Sequence, residues 1–351
     1  MKMKILFLHA EVMGYTMATI NALIECGHEI HVIHWDHKKL TPYQPPTKPN
    51  VYMYARSELT VEAMICLADE ISPSITVVSG WMDKGYLSVS KGLKAKGVPV
   101  VTGFDDQWHG TLRQRFAALL GAVGYFSKYF SHAWVSGPYQ FEYARRLGFN
   151  KEKIIYDLYS ADLTLFNKAH EDNSKSKSVK YPRRFLFVGR FELIKGLDVL
   201  VDAWKMLGEA RHDWELHLIG NGSMKPQLEN ISGLVLKDFM QPEMLMSEVA
   251  NAGCFVLPSQ GEPWGVVVHE FAAAGLPLII SDVVGAATSF LVPGMNGETF
   301  NVNDPESLAR KMRLIIEMSD SDLALIGDQS HDLAQRITPK TSAANLLSIV
   351  G

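Results

Sequence analysis

The sequence predicts an α/β protein built from two Rossmann-like domains, and three observations carry that expectation. Short apolar runs alternate with helix-periodic segments through both halves of the chain, as parallel sheets require. A polar, Ser/Lys-rich stretch without apolar periodicity, KAHEDNSKSKSVKY (Lys168 to Tyr181), interrupts the alternation and reads as an interdomain linker. With 351 residues and 47% hydrophobic composition, the chain fills two cores more readily than one. The expected domains are 1–170 and 181–337.

In order, KILFLHA is a first strand, Glu11 to Gly14 a loop, and a helix runs to about Cys26 before Gly27 and the strand HEIHVIHW. This β-α-β opening lacks G-x-G-x-x-G, which argues against a dehydrogenase. Asp36 to Asn50, rich in Pro and Lys, reads as a surface excursion. ITVVS and VPVVT are further strands with a helix of about 85–96 between them, and the second runs into the loop GFDDQWHG. AWVS and KIIY continue the alternation. The second half opens with RRFLFVGR, then a helix with Leu197, Leu200, Val201, Trp204 and Leu207 on one face, then WELHLIG. NGETFNVNDPESLARKMRLI reads as strand, loop and a helix capped near Asp304-Pro305.

Net charge is −4, which gives no global signal for nucleic acid. The apolar run near the N-terminus is too short for a signal peptide or a membrane span, so the expectation is a cytoplasmic protein. Cys26, Cys66 and Cys254 are odd in number, far apart and set in apolar segments, as reduced core residues would be.

The chemistry concentrates in GEPWGVVVHEFAAAGLP (Gly261 to Pro277). CFVLP reads as a buried strand, SQGEPWG as strand-to-helix loop with Pro263 suited to a first helical turn, Val267, Val268, Phe271 and Ala274 as the helix's apolar spacing, and Gly275-Leu-Pro277 as its stop. Such a loop lies at the carboxyl edge of a parallel sheet, where N–H groups attract anions. Carboxylates repel phosphate, so Glu262 and Glu270 suit sugar hydroxyls instead. The alternative is that Glu262 complements the helix dipole and Glu270 forms a surface ion pair.

Glu262 and Glu270 in an EPWG…E…A-x-G-x-P setting resemble the E-x7-E signature of family-four retaining glycosyltransferases, and FVGRFELIKG, LIGNG and FVLPS stand in that family's order across about 184–310. The resemblance implies the GT-B fold, two Rossmann-like domains facing a cleft, with the acceptor on the first, a nucleotide-sugar on the second, and residues from about 338 returning to the first. It assigns Arg190 and Lys195 to the pyrophosphate, where fixed cations would stabilise the leaving group. Glu270 falls to the ribose, Glu262 to the transferred sugar, and the backbone N–H groups of Trp264, Gly265 and Val266 to hydroxyl or phosphate oxygens. Gly14 is the counterpart of the family's paired glycines. The base falls between the LIGNG loop, with Asn221, and LKDFM, with Lys237 or Phe239 beside it; Asp238 departs from the family's usual glycine. His109 is the expected catalytic group near the anomeric centre, with Asp105 and Asp106 as rivals. Because two cations can do a metal's work, no essential metal and no cofactor are expected.

The implied activity is transfer of a sugar, with retention, from a UDP- or GDP-sugar to a saccharide or lipid-linked acceptor. Rivals are a GT-B epimerase or phosphorylase, although no pyridoxal lysine context is visible for the latter, and a non-catalytic sugar-nucleotide-binding subunit. From Gln107 to Lys151, Arg113, Arg115, Lys128, Arg145, Arg146 and Lys151 face one acid, Glu142, with aromatic and apolar residues interleaved. Two readings stay open: peripheral contact with an anionic membrane, or a core-facing helix with a solvated basic face.

Overall fold

The computed structural model describes residues 2–37, 43, 45–229 and 231–351. It divides into two compact units, Met1–Ser160 with Ile337–Gly351, and Ala161–Arg336. The first unit runs β1 (Lys4–His9), α1 (Gly14–Glu25), β2 (Glu29–His34), β3 (Val51–Ala55), α2 (Val61–Ile71), β4 (Ile75–Ser79), α3 (Lys84–Ala95), β5 (Val100–Phe104), α4 (Leu112–Ala122), β6 (His132–Val135), α5 (Pro138–Arg146) and β7 (Ile154–Ile155). Its strands form one parallel sheet in the order β3-β2-β1-β4-β5-β6-β7.

Both faces of that sheet are covered at its centre, so β1, β4 and β5 are largely apolar, whereas β2 carries Glu29, His31 and His34. Ile5 and Phe7 of β1 join one core with Met17, Ile20 and Leu23 of α1. Leu6 and Leu8 join the opposite core with Met64 of α2 and Val89 of α3. Side chains thus divide between faces with the two-residue period of a strand.

The second unit runs α6 (Leu163–Val179), β8 (Arg184–Val188), α7 (Leu197–Leu207), β9 (Glu215–Ile219), α8 (Lys225–Leu228), β10 (Leu234–Lys237), α9 (Pro242–Ala250), β11 (Cys254–Leu257), α10 (Val266–Ala273), β12 (Leu278–Ser281), α11 (Ala287–Phe290), β13 (Gly297–Phe300), α12 (Pro305–Glu317) and α13 (Asp320–Ala334). Its parallel sheet has the order β10-β9-β8-β11-β12-β13. The expected apolar face of α7, from Leu197 to Leu207, is buried. His269 of α10 is buried and reaches both ends of this unit: the Ala161 N–H donates to its Nδ1 (3.0 Å), and its Nε2 donates to the Ala334 carbonyl (2.9 Å). Those two bonds define a neutral ring with the proton on Nε2. The last helix, α14 (Pro339–Leu347), belongs to the first unit, where Ala343 and Leu346 enter the core and Asn345 Nδ2 donates to Asp157 Oδ2 (2.9 Å).

Several sequence expectations change, and of the three cysteines expected in the core, Cys26 and Cys66 are exposed. The stretch Lys168–Tyr181 is not a linker: most of it lies in α6. Phe166, Ala169 and Lys177 are its buried stripe, and His170 stacks on His331 of α13 with ring centroids 4.1 Å apart. Past Ala169 the stripe escaped the hydrophobic pattern because its next buried member is Lys177, whose ammonium burial lowers to about 8. The helix after the EPWG turn begins at Val266 rather than at Pro263. Gly14 is the first residue of α1, not a loop residue. Strand β3 and helix α2 were not read, and of the excursion 36–50, residues 38–42 and 44 lie outside the described residues. Among the described residues, no helix is long and apolar enough to cross a membrane, and no cluster of ligating side chains suits a metal ion.

Candidate active site at the carboxyl edge of the second sheet

Strand order in the second unit reverses direction between β8 and β11, and loops leaving those neighbours diverge to opposite faces of the sheet. The loop after β8 carries Arg190 and Lys195, and the loop after β11 carries Glu262. Gln260 N donates to the Ile194 carbonyl (2.9 Å), joining them, and Phe191 N donates to the Asn221 carbonyl (2.8 Å), tying the β8 loop to the loop after β9. The loop after β12 closes on the same turn, with Gly285 N donating to the Glu262 carbonyl (3.2 Å) and Ala286 N to that of Trp264 (2.9 Å).

Two glycines make this packing feasible. Gly196, at φ +69°, would place a Cβ 1.9 Å from the Pro258 carbonyl oxygen. Gly265 caps α10 at φ +92°, a conformation that turns the chain into the helix and that a side chain would strain.

The Lys195 ammonium is ion-paired with Glu262 Oε2, both side chains being largely buried. Ser259 Oγ donates to the same carboxylate oxygen at 3.3 Å. Arg190 is exposed. Near it, Glu192 is held below the usual carboxylate range by hydrogen bonds from the Ser223 hydroxyl (2.6 Å) and N–H (3.1 Å), with Arg190 adding a smaller attraction. Sequence reasoning missed Glu192 and Ser223, because their meeting depends on the turn after β9.

Glu270 lies one turn into α10 and is half-buried. Burial, reinforced by Asp162, pushes its carboxyl up to about 7. A carboxyl poised there changes charge near neutral pH, so its hydroxyl-accepting form is pH-dependent. The Trp264 ring is in the core, edge-on to Phe290, so this residue can offer a ligand its backbone only. Gly265 and Val266 begin α10, where N–H groups lack intrahelical partners.

The base-side residues separate. Phe239 is 38% exposed, so it is available for stacking rather than committed to the core. Lys237 is tied to Glu248 (2.7 Å) and Asp238 to Lys225 (2.6 Å). Asn221 is exposed, and its Oδ1 accepts from Gly222 N (3.1 Å).

In the first unit, His109 is exposed on the loop between β5 and α4. Gln114 organises that loop, its Oε1 accepting from His109 N (2.8 Å) and its Nε2 donating to the Gln107 carbonyl (2.6 Å). Asp106 is exposed, whereas the Asp105 carbonyl is held by Gln140 Nε2 (2.9 Å). At the same sheet edge, burial lowers His9 to about 4, so it is neutral at physiological pH. Gly14 has nothing within 4 Å of the position a Cβ would take.

Two nucleotide-binding-type sheets, one with an acid–base pair and a helix N-terminus at its reversal point, define a GT-B fold. Residues 169–330 match the family described as glycosyl transferases group 1. An uncharacterized glycosyltransferase of Methanocaldococcus jannaschii is 32% identical over 199 residues, covering 52% of this chain and 54% of the relative. The chain therefore spans about half the length of the curated relatives it matches. Among solved structures, sucrose-phosphate synthase from Thermosynechococcus elongatus superposes with TM-score 0.74 at 17% identity, over 99% of this chain and 98% of the other. Anabaena HepE, crystallised in complex with UDP, gives TM-score 0.74 at 15% identity over 99% of both chains.

Proposed function

We propose that this protein is a retaining glycosyltransferase that moves a hexosyl group from a nucleotide-sugar to a hydroxyl of a saccharide or lipid-linked acceptor, without an essential divalent ion. The observation that carries the reading is the convergence of Lys195, Glu262 and the first turn of α10 where the second sheet reverses. A buried ammonium held by one carboxylate is a preorganised cation: an incoming diphosphate takes over the ammonium, and Glu262 is released toward the sugar hydroxyls. Arg190, exposed on the same loop, supplies the second positive charge, and the α10 N–H groups of Gly265 and Val266 receive the remaining oxygens.

In this reading Glu270 clasps the ribose, Phe239 faces the base with Asn221 near it, and His109 stands close to the anomeric centre, with Gly14 beside the donor phosphates. Binding of UDP by HepE supports a uridine nucleotide as the first donor to try. The experiment is a thermal-shift screen of UDP-, GDP- and ADP-sugars, followed by turnover with the stabilising donor in the presence of a chelator. Lys195→Ala should lower kcat/KM by at least about 100-fold, the loss expected when a group stabilising developing charge is removed. Normal turnover in that variant would remove the diphosphate assignment. Loss of activity on chelation, restored by a divalent ion, would overturn the metal-free mechanism. Proton NMR of the product reads whether the anomeric configuration is retained.

A further inference from the structure

Helix α4 is packed inside out. It rests on the body of its unit through small residues: a Cβ on Gly121 would come 2.3 Å from the Leu147 carbonyl oxygen, so the backbones touch there. Its large apolar side chains point to water instead, with Leu112 84% exposed, Phe116 62%, Leu119 63% and Val123 73%. At about 100° per residue these four fall within a wedge of about 60°, a continuous stripe along the helix. Met82 extends the patch: it is 65% exposed, and its sulfur contacts the Arg113 guanidinium (3.1 Å).

Arg113 and Arg115 flank the stripe on its two sides. From Gln107 to Phe141 the chain carries those two arginines and Lys128 but no Asp or Glu. The first acid beyond, Glu142, is already paired with Arg146 (2.7 Å). Water gives no reason to turn four large apolar side chains outward while the small ones face in, so the stripe is shaped for another medium.

We propose that α4 seats this unit on an anionic lipid surface, with Phe116 and Leu119 at the centre of the inserted stripe and the arginines against lipid phosphates. Charge decides between this and a second copy of the chain. A two-fold interface on α4 would bring the arginines of both copies together on a helix that carries no carboxylate of its own to answer them, whereas an anionic bilayer supplies that charge all along the stripe. The proposal is independent of sugar transfer.

The test is cosedimentation of the full chain with vesicles of phosphatidylcholine containing about 30% phosphatidylglycerol, against phosphatidylcholine alone, at low and high salt. The protein should pellet with the anionic vesicles and be released by salt. The double variant Phe116→Ser, Leu119→Ser should partition at least about tenfold more weakly, and Arg113→Glu should weaken it further at low salt than at high salt. These residues are exposed, so unchanged thermal unfolding shows that the variants fold. Failure to pellet, equal binding to neutral vesicles, or unchanged binding of the double variant would overturn the proposal. So would self-association in lipid-free sedimentation that the double variant abolishes, since the stripe would then belong to a second copy.

Discussion

The loop leaving β1 and the loop leaving β8 occupy the same topological position, each following the strand at its sheet's reversal point, yet they are built to different tolerances. In the second unit, Gly196 lies against the Pro258 carbonyl and the ion pair of Lys195 with Glu262 spans the two loops. In the first unit, Gly14 opens α1 with nothing within 4 Å of where a Cβ would sit, and the loop before it is held by Ala10 N donating to Ser79 Oγ (2.8 Å) and by Trp35 N donating to the Ala10 carbonyl (2.8 Å). One scaffold thus holds a rigid loop assembly and a roomy one. Close backbone contact fixes charged groups in place without ligand, while open space leaves room for a substrate of variable shape.

The contrast is most severely tested by Gly196→Ala. Backbone overlap combined with a left-handed φ should destabilise the protein by more than about 4 kcal/mol or prevent folding; urea unfolding with a near-native midpoint would mean that the two loops are not locked together. Glu270 gives an intermediate effect, with the sign set by its raised carboxyl. Stability from this group is fully present below the ordinary value of 4.5 and is lost as pH rises through about 7. Glu270→Gln should therefore raise stability at pH 8 by on the order of 1–2 kcal/mol and have no effect at pH 4. Donor affinity should move oppositely, rising with pH until Glu270 is ionised and becoming flat with pH in the Gln variant, as calorimetric titration would show. The smallest effect belongs to Gly14→Ala, which should leave folding unchanged or stabilise it by a few tenths of a kcal/mol. A large loss of turnover with intact folding in that variant would show that the roomy loop is closely filled once substrate is bound.

The sequence made the repeated strand-helix alternation legible because buried parallel strands are short apolar runs whatever their partners. It also displayed the loop chemistry, since Gly, Pro and carboxylates at strand ends are local signals. It hid α6, whose buried stripe includes Lys177, and it hid β3, an edge strand with Tyr52 and Met53 half-open to water. Local pattern cannot reveal a face whose burial depends on a distant partner.

Sequence alone determined two parallel α/β sheets and the supply of cations, carboxylates and glycines after their strands, because these follow from periodicity and turn chemistry. Tertiary structure alone decided that Lys195 pairs with Glu262, that Lys237 is taken by Glu248, that His269 joins Ala161 to Ala334, and that α4 presents its large apolar residues to solvent. Each is a relation between residues distant in sequence or between a helix face and its surroundings, and packing, not local propensity, sets such relations.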